Sequence, residues 1–255
     1  MKARLSVTLL ITVLAVIGWL LWQPREPVWQ GKPLSEWMKG LEGPGATRAS
    51  YSESAEAIRH IGTNSLPIVM TMFRSEDSSI KQRVMVLIPE RWRRRFNFTP
   101  ATLQRHRALF ALDALGRDTV PAFPELIALL NANDVEVRTF SAQALGSMGT
   151  AEHIIVPALT NALSDKDVRV RRSIEENLGR IGKEARVAVP ALVARLGCTN
   201  VAEFEEVCLA LSKFGPQARA AVPPLTALSK NPSQPISGAA SNALKYIIQE
   251  LHIGR

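Results

Sequence analysis

Asp167-Val-Arg-Val-Arg-Arg-Ser-Ile-Glu-Glu-Asn-Leu-Gly-Arg-Ile-Gly-Lys-Glu-Ala-Arg-Val-Ala-Val-Pro-Ala-Leu192 holds one complete unit of the pattern that runs through this chain. An acidic residue precedes a run of helical periodicity, Gly182 follows it, and Pro190 opens the next apolar segment; these read as the start, stop and restart of a helix. The same signals return one period away on both sides. Phe123-Pro124, Val156-Pro157, Val189-Pro190 and Val222-Pro223 recur every 33 residues, and Gly116, Gly149, Gly182 and Gly215 each lie eight residues before the proline. Asp134-Val-Glu-Val-Arg138 repeats the turn at Asp167–Arg171. A fixed period of this length marks an all-α solenoid, in which each helical hairpin buries its apolar side only against its neighbours.

Outward from this stretch the pattern predicts an array over residues 33–255, with Asp134 and Asp167 as helix N-caps and the glycines as stops. The first unit has helices near Leu34–Leu41 and Tyr51–Ile61. The second has Leu66–Phe73 and then a helix from Thr99-Pro100 to Leu115, with Thr99 as its cap. About two dozen extra residues interrupt that unit, at roughly 74–98, and Ile80–Ile88 within them reads as an inserted helix. The last helix runs from about Ser237 to Leu251. Residues 23–32, with Pro24 and Pro27, read as a stiff linker.

Residues 1–22 differ in kind. Leu5–Trp22 is an 18-residue run without a charge, about 27 Å as a helix and close to the thickness of a bilayer core. Lys2 and Arg4 precede it, so the amino terminus is expected in the cytoplasm and the C-terminal body in the periplasm or outside the cell. Gly18-Trp-Leu-Leu-Trp22 offers no A-x-A-like site, which favours an uncleaved anchor over a signal peptide. Trp19, Trp22 and Trp29 read as interfacial anchors. The sequence reading is thus a single-pass membrane protein.

Two other repeat families share this period, but the ankyrin T-P-L-H and the tetratricopeptide W…L-G…Y patterns are absent. The D-V-x-V-R, L-G-x-x-G and V-P-x-L elements instead resemble the short HEAT-like repeats of phycobilisome lyases, over about Leu66–Leu251. Gly31-Lys-Pro-Leu-Ser-Glu-Trp37 looks like a lead-in of membrane-anchored HEAT-repeat proteins of verrucomicrobial bacteria. The resemblance implies a right-handed solenoid and a protein-binding scaffold, with no cofactor.

Arg105, Arg138 and Arg171 fall 33 residues apart. They are expected to bond turn carboxylates or carbonyls between repeats rather than to hold a ligand. Positions that vary between units are better candidates for binding. In register they are His106-Phe110-Ala114, Thr139-Gln143-Ser147, Arg172-Glu176-Arg180, Glu205-Leu209-Lys213 and Gly238-Asn242-Tyr246. Residues four apart share a helix face, so these rows form one ribbon, of mixed charge and better suited to a polypeptide than a polyanion.

Charge is concentrated elsewhere. The net charge of +8 is centred on Arg91-Trp92-Arg93-Arg94-Arg95-Phe96, within residues 81–107, which hold eight basic residues and one acid. Such a stretch suits an acidic partner protein or an anionic lipid surface, and, outside the cytoplasm, nucleic acid much less.

Catalytic constellations are missing: the four histidines are scattered, and no G-x-S-x-G, Walker loop or H-E-x-x-H occurs. No metal site is expected. Glu175-Glu176 and Glu205-Glu206 read as solvated helix faces. Cys208 aligns with the buried positions Ala142 and Leu109; a local disulfide with Cys198 is a lesser alternative. A non-catalytic scaffold that binds a protein partner is the leading expectation, and a HEAT-like lyase or DNA glycosylase the alternative. Oligomeric state is not encoded legibly.

Overall fold

A computed structural model describes residues 26–42, 46–77, 87, 89, 99–148 and 151–253. Six helical hairpins follow one another among them. The first helices of the hairpins are α1 (Leu34–Trp37, extended by a 3-10 turn at Met38–Gly40), α3 (Leu66–Phe73), α5 (Phe123–Leu129), α7 (Glu152–Ala162), α9 (Val189–Arg195) and α11 (Val222–Leu228). The second helices are α2 (Arg48–Ile61), α4 (Ala101–Leu115), α6 (Val135–Ser147), α8 (Val168–Ile181), α10 (Val201–Lys213) and α12 (Gln234–Ile253). The array is an α-solenoid.

Each boundary has a local cause. Asp134 and Asp167 accept the backbone N–H two residues on, at 2.8 and 2.9 Å. Asn200 accepts that of Glu203 at 3.0 Å. These bonds satisfy donors that a helix start leaves open. At the other end Gly182 adopts φ +69°, a conformation that a Cβ disfavours. The chain there leaves α8 and enters a 3-10 turn, Gly182–Ala188, that delivers Val189-Pro190 to the next hairpin. The fourth unit departs from this: α7 starts five residues before Pro157, behind Ala151 at φ +56°.

The core lies between the two helix layers and is as periodic as the sequence. Leu126, Leu159, Leu192 and Leu225 form one buried ladder in the first helices, and Leu112, Leu145, Leu178 and Leu211 another in the second. Consecutive second helices pack directly on each other, whereas first helices meet their neighbours largely through the 3-10 turns. Two contacts are especially close. A Cβ on Gly146 would lie 2.2 Å from the Asn177 side chain, and one on Gly179 would lie 2.8 Å from the Ala210 Cα.

The amino-terminal end corrects three expectations. Val28–Trp29 and Lys32–Pro33 pair as a small antiparallel hairpin, so part of the stretch read as a linker is folded. The Trp29 ring stacks on His60 with centroids 5.1 Å apart and tilts against Trp37 at 5.4 Å. Trp37 Nε1 donates to the Trp29 carbonyl at 3.2 Å. Trp29 therefore caps the first hairpin and is not an interfacial membrane anchor. In the same unit α2 begins at Arg48, earlier than expected, because Thr47 and Ser50 form a reciprocal capping box.

The single-pass membrane placement is also corrected: among the described residues no helix is long and apolar enough to cross a membrane. The longest, α12, is amphipathic, burying Ala240, Ala243 and Ile247 while Ser241, Asn242 and Lys245 face solvent. The run at 5–22 on which the placement rested lies outside the described residues. So do Gly149 and, from the expected inserted helix, residues 80–86 and 88.

Candidate functional site

The arginines of the repeat serve its stacking. Arg138 is buried, and its Nε and Nη2 bond both oxygens of Asp165 in the next unit at 2.7 and 3.0 Å. Arg171 holds both oxygens of Glu203 in the same way, at 2.8 and 2.7 Å. Arg105 reaches Glu136 at 2.6 Å and Asp134 at 2.7 Å. Each guanidinium also donates to a carbonyl oxygen of its own interhelical turn, and Arg138 and Arg171 grip their acids through a planar fork, whereas Arg105 Nε is buried without a partner. The hydrogen bonds to Asp165 hold Arg138 above its ordinary pKa.

These bonds measure the interruption. Arg138 and Arg171 donate to Ala132 and Asp165, six residues back, whereas Arg105 donates to Ser75, 30 residues back. The difference, 24 residues, is the length of the insertion. Asp77 accepts the N–H of Ala101, the first residue of α4, at 3.0 Å. Thr99 was the expected cap; the carboxylate comes instead from the near side of the insertion. The joint therefore closes between residues on the two sides of the interruption. Arg91, Trp92, Arg93, Arg94, Arg95 and Phe96, expected there as partner-binding residues, lie outside the described residues.

With the arginines spent on stacking, the variable rows remain on the surface. His106, Phe110 and Asp113 of α4, Gln143 and Ser147 of α6, and Glu176 and Arg180 of α8 line one groove of about 350 Å³. Its apolar end is built by Phe110 edge-on to Tyr51 at 5.8 Å. Glu42 approaches His106 at 3.5 Å. Further along, Glu205 and Leu209 of α10 and Gly238, Asn242 and Tyr246 of α12 line a second groove of about 560 Å³. Arg172, Glu176, Arg180 and Lys213 are exposed beside the two grooves. Most positions of the expected rows thus line one or other of these two grooves.

One charged site was missed. Glu175 was expected on a solvated face with Glu176, yet it is fully buried, and neither carboxylate oxygen has a hydrogen-bond partner. Arg195 lies 3.9 Å away and pairs more closely with Glu203. Burial pushes the Glu175 carboxyl up to about 7, against the pull of Arg195 and Arg171. Glu206, also expected to be solvated, is partly buried, and burial followed by the nearby Glu176 raises its pKa. Cys198 and Cys208 are free thiols, and burial pushes Cys208 up to about 12, so it packs as a small apolar group. No cluster able to hold a metal occurs among the described residues.

Residues 123–203 match the family model for HEAT repeats. The hairpins of this segment are similar to HEAT repeats. The matched HEAT segment runs from α5 into the start of α10, across the Arg138 and Arg171 joints. Among curated proteins no match is found. Among solved structures the chain is similar to the complex of CpcE and CpcF of phycocyanin lyase from Nostoc sp. PCC7120, at 27% identity and a TM-score of 0.45. That likeness covers 58% of this chain and 62% of the other, so less than two thirds of that protein's length is spanned. It is also similar to an engineered protein, at 22% identity over 85% of this chain and 96% of that one, with a TM-score of 0.47. A designed armadillo repeat protein matches at 15% identity and a TM-score of 0.44, over 84% of this chain and 99% of the designed one.

Proposed function

We propose that this protein is a non-catalytic HEAT-repeat scaffold that binds a polypeptide partner along the ribbon of its second helices. One observation carries the reading. The positions that recur unit by unit are consumed by stacking, and most of the positions that vary line two grooves between successive second helices. A HEAT array of this kind fits protein interaction. The face offers aromatic, amide and charged groups of both signs, the mixture that suits a protein surface better than a polyanion.

The test is a quadruple substitution on the ribbon, Phe110→Ser, Gln143→Ala, Arg180→Glu and Leu209→Ser, none of whose side chains is fully buried. The expected result is loss of the partner that co-purifies with the native protein, with an unchanged thermal midpoint. Retention of that partner at equal yield overturns the reading.

A further inference from the structure

The joint between α10 and α12 differs from the two before it. Gly146 and Gly179 let α6 meet α8 and α8 meet α10 at close approach, and the residue one period further on is Ser212. Ser212 lines the second groove, its hydroxyl donating to Leu209 of its own helix at 2.7 Å. The floor is apolar and small, made by Cys208, Ala239 and Ala243, and Gly238 adds no side chain, with nothing within 4 Å of where its Cβ would be. Leu209 and Tyr246 flank it while 48% and 58% exposed.

The charges along this groove are ordered. Glu205 stands at one end and Lys245 at the other, both lining it and exposed, and neither makes a salt bridge among the described residues. The 33-residue period sets Lys245 level with Ser212, seven residues beyond Glu205 on α10, a rise of about 10 Å along the helix. In an extended chain every second side chain points the same way, at about 6.6 Å per step. Two such steps cover the distance between the two charges. On this basis, and resting on the ribbon reading above, we infer that the α10–α12 groove binds an extended peptide segment in which a basic, an apolar and an acidic residue alternate at i, i+2 and i+4. The basic residue meets Glu205, the apolar side chain sits beside Leu209 over the small floor of Cys208 and Ala243, and the acid meets Lys245.

The probe is a fluorescein-labelled peptide with Lys, Leu and Glu at alternating positions on a Gly/Ser background, in both chain directions. It is titrated with the full chain by anisotropy. One direction is expected to bind, and a peptide of the same composition with the three residues adjacent is expected to bind about tenfold more weakly. Gly238→Leu fills the groove without a clash and is expected to abolish binding while the thermal midpoint holds or rises. Lys245→Glu is expected to lose the Glu peptide and to gain one with Lys at i+4. Equal binding of the patterned and scrambled peptides, or full binding to Gly238→Leu, overturns the inference. Photocrosslinkers separate it from the broader reading. Crosslinks to the native partner from His106 and Gln143 but not from Leu209 and Asn242 overturn this groove and leave the ribbon; none from any of the four overturns the ribbon itself.

Discussion

At the scale of single residues, two buried charges dominate, and they behave in opposite ways. Arg138 is fully matched by Asp165 and two carbonyls, so Arg138→Ala leaves a carboxylate unpartnered in the joint. A loss of about 3–5 kcal/mol is expected in chemical denaturation. Arg138→Lys restores little of it, because an ammonium cannot reproduce the bidentate fork. Glu175 is unmatched. Its folded pKa of about 7 lies above the ordinary glutamate value of 4.5, so the folded state holds the extra proton between those values. Its contribution is complete below about pH 4.5 and is lost as pH rises through 7. Glu175→Gln is expected to flatten that decline, by roughly 1–3 kcal/mol at pH 8, read as a thermal midpoint measured from pH 5 to 8. A wild-type curve with no more decline than the variant would refute this account of Glu175.

At the scale of elements, the glycines of the second helices divide by what they touch. Gly146→Ala and Gly179→Ala force a methyl into the neighbouring helix, so each is expected to cost about 1–3 kcal/mol. Gly238→Ala meets nothing and is expected to gain about 0.5–1 kcal/mol from reduced chain entropy. Differential scanning calorimetry on the three variants checks both signs. The insertion is also an element-scale matter. Because Arg105 finds Ser75 and Asp77 finds Ala101 across it, deleting the 24 residues 78–101 joins Asp77 to Thr102 in the register of Asp134-Val135. That deletion is expected to stay folded with stability within about 1 kcal/mol, since loop length weighs only logarithmically. A collapse of helicity by circular dichroism would contradict the closed joint. Reading the sequence alone located this interruption, because the proline and glycine marks around it kept their spacing. It did not reveal Asp77, whose place in the register is hidden by the residues that follow it. Glu175 was in reach: one period away on either side stand Ala142 and Cys208, both buried. Trp29 was misread because an exposed-looking Trp near an apolar run suggests a membrane interface, while the Gln30-Gly31 turn that folds it back leaves only a two-residue signal.

At the scale of the whole molecule, the repeat makes folding and recognition separable. Ladder positions such as Leu178 are repeated and buried, and Leu178→Ala is expected to cost about 2–5 kcal/mol with no direct effect on binding. Ribbon positions vary and carry little stability. This division of labour is the central claim, and a photocrosslinking scan on the native chain tests it most directly. Crosslinkers at Gln143, Glu176, Leu209 and Asn242 sample the ribbon, and one at Asn161 samples the exposed side of α7. Crosslinks to one polypeptide partner are expected from the ribbon positions and none from Asn161; crosslinks from Asn161 with a silent ribbon would refute the division.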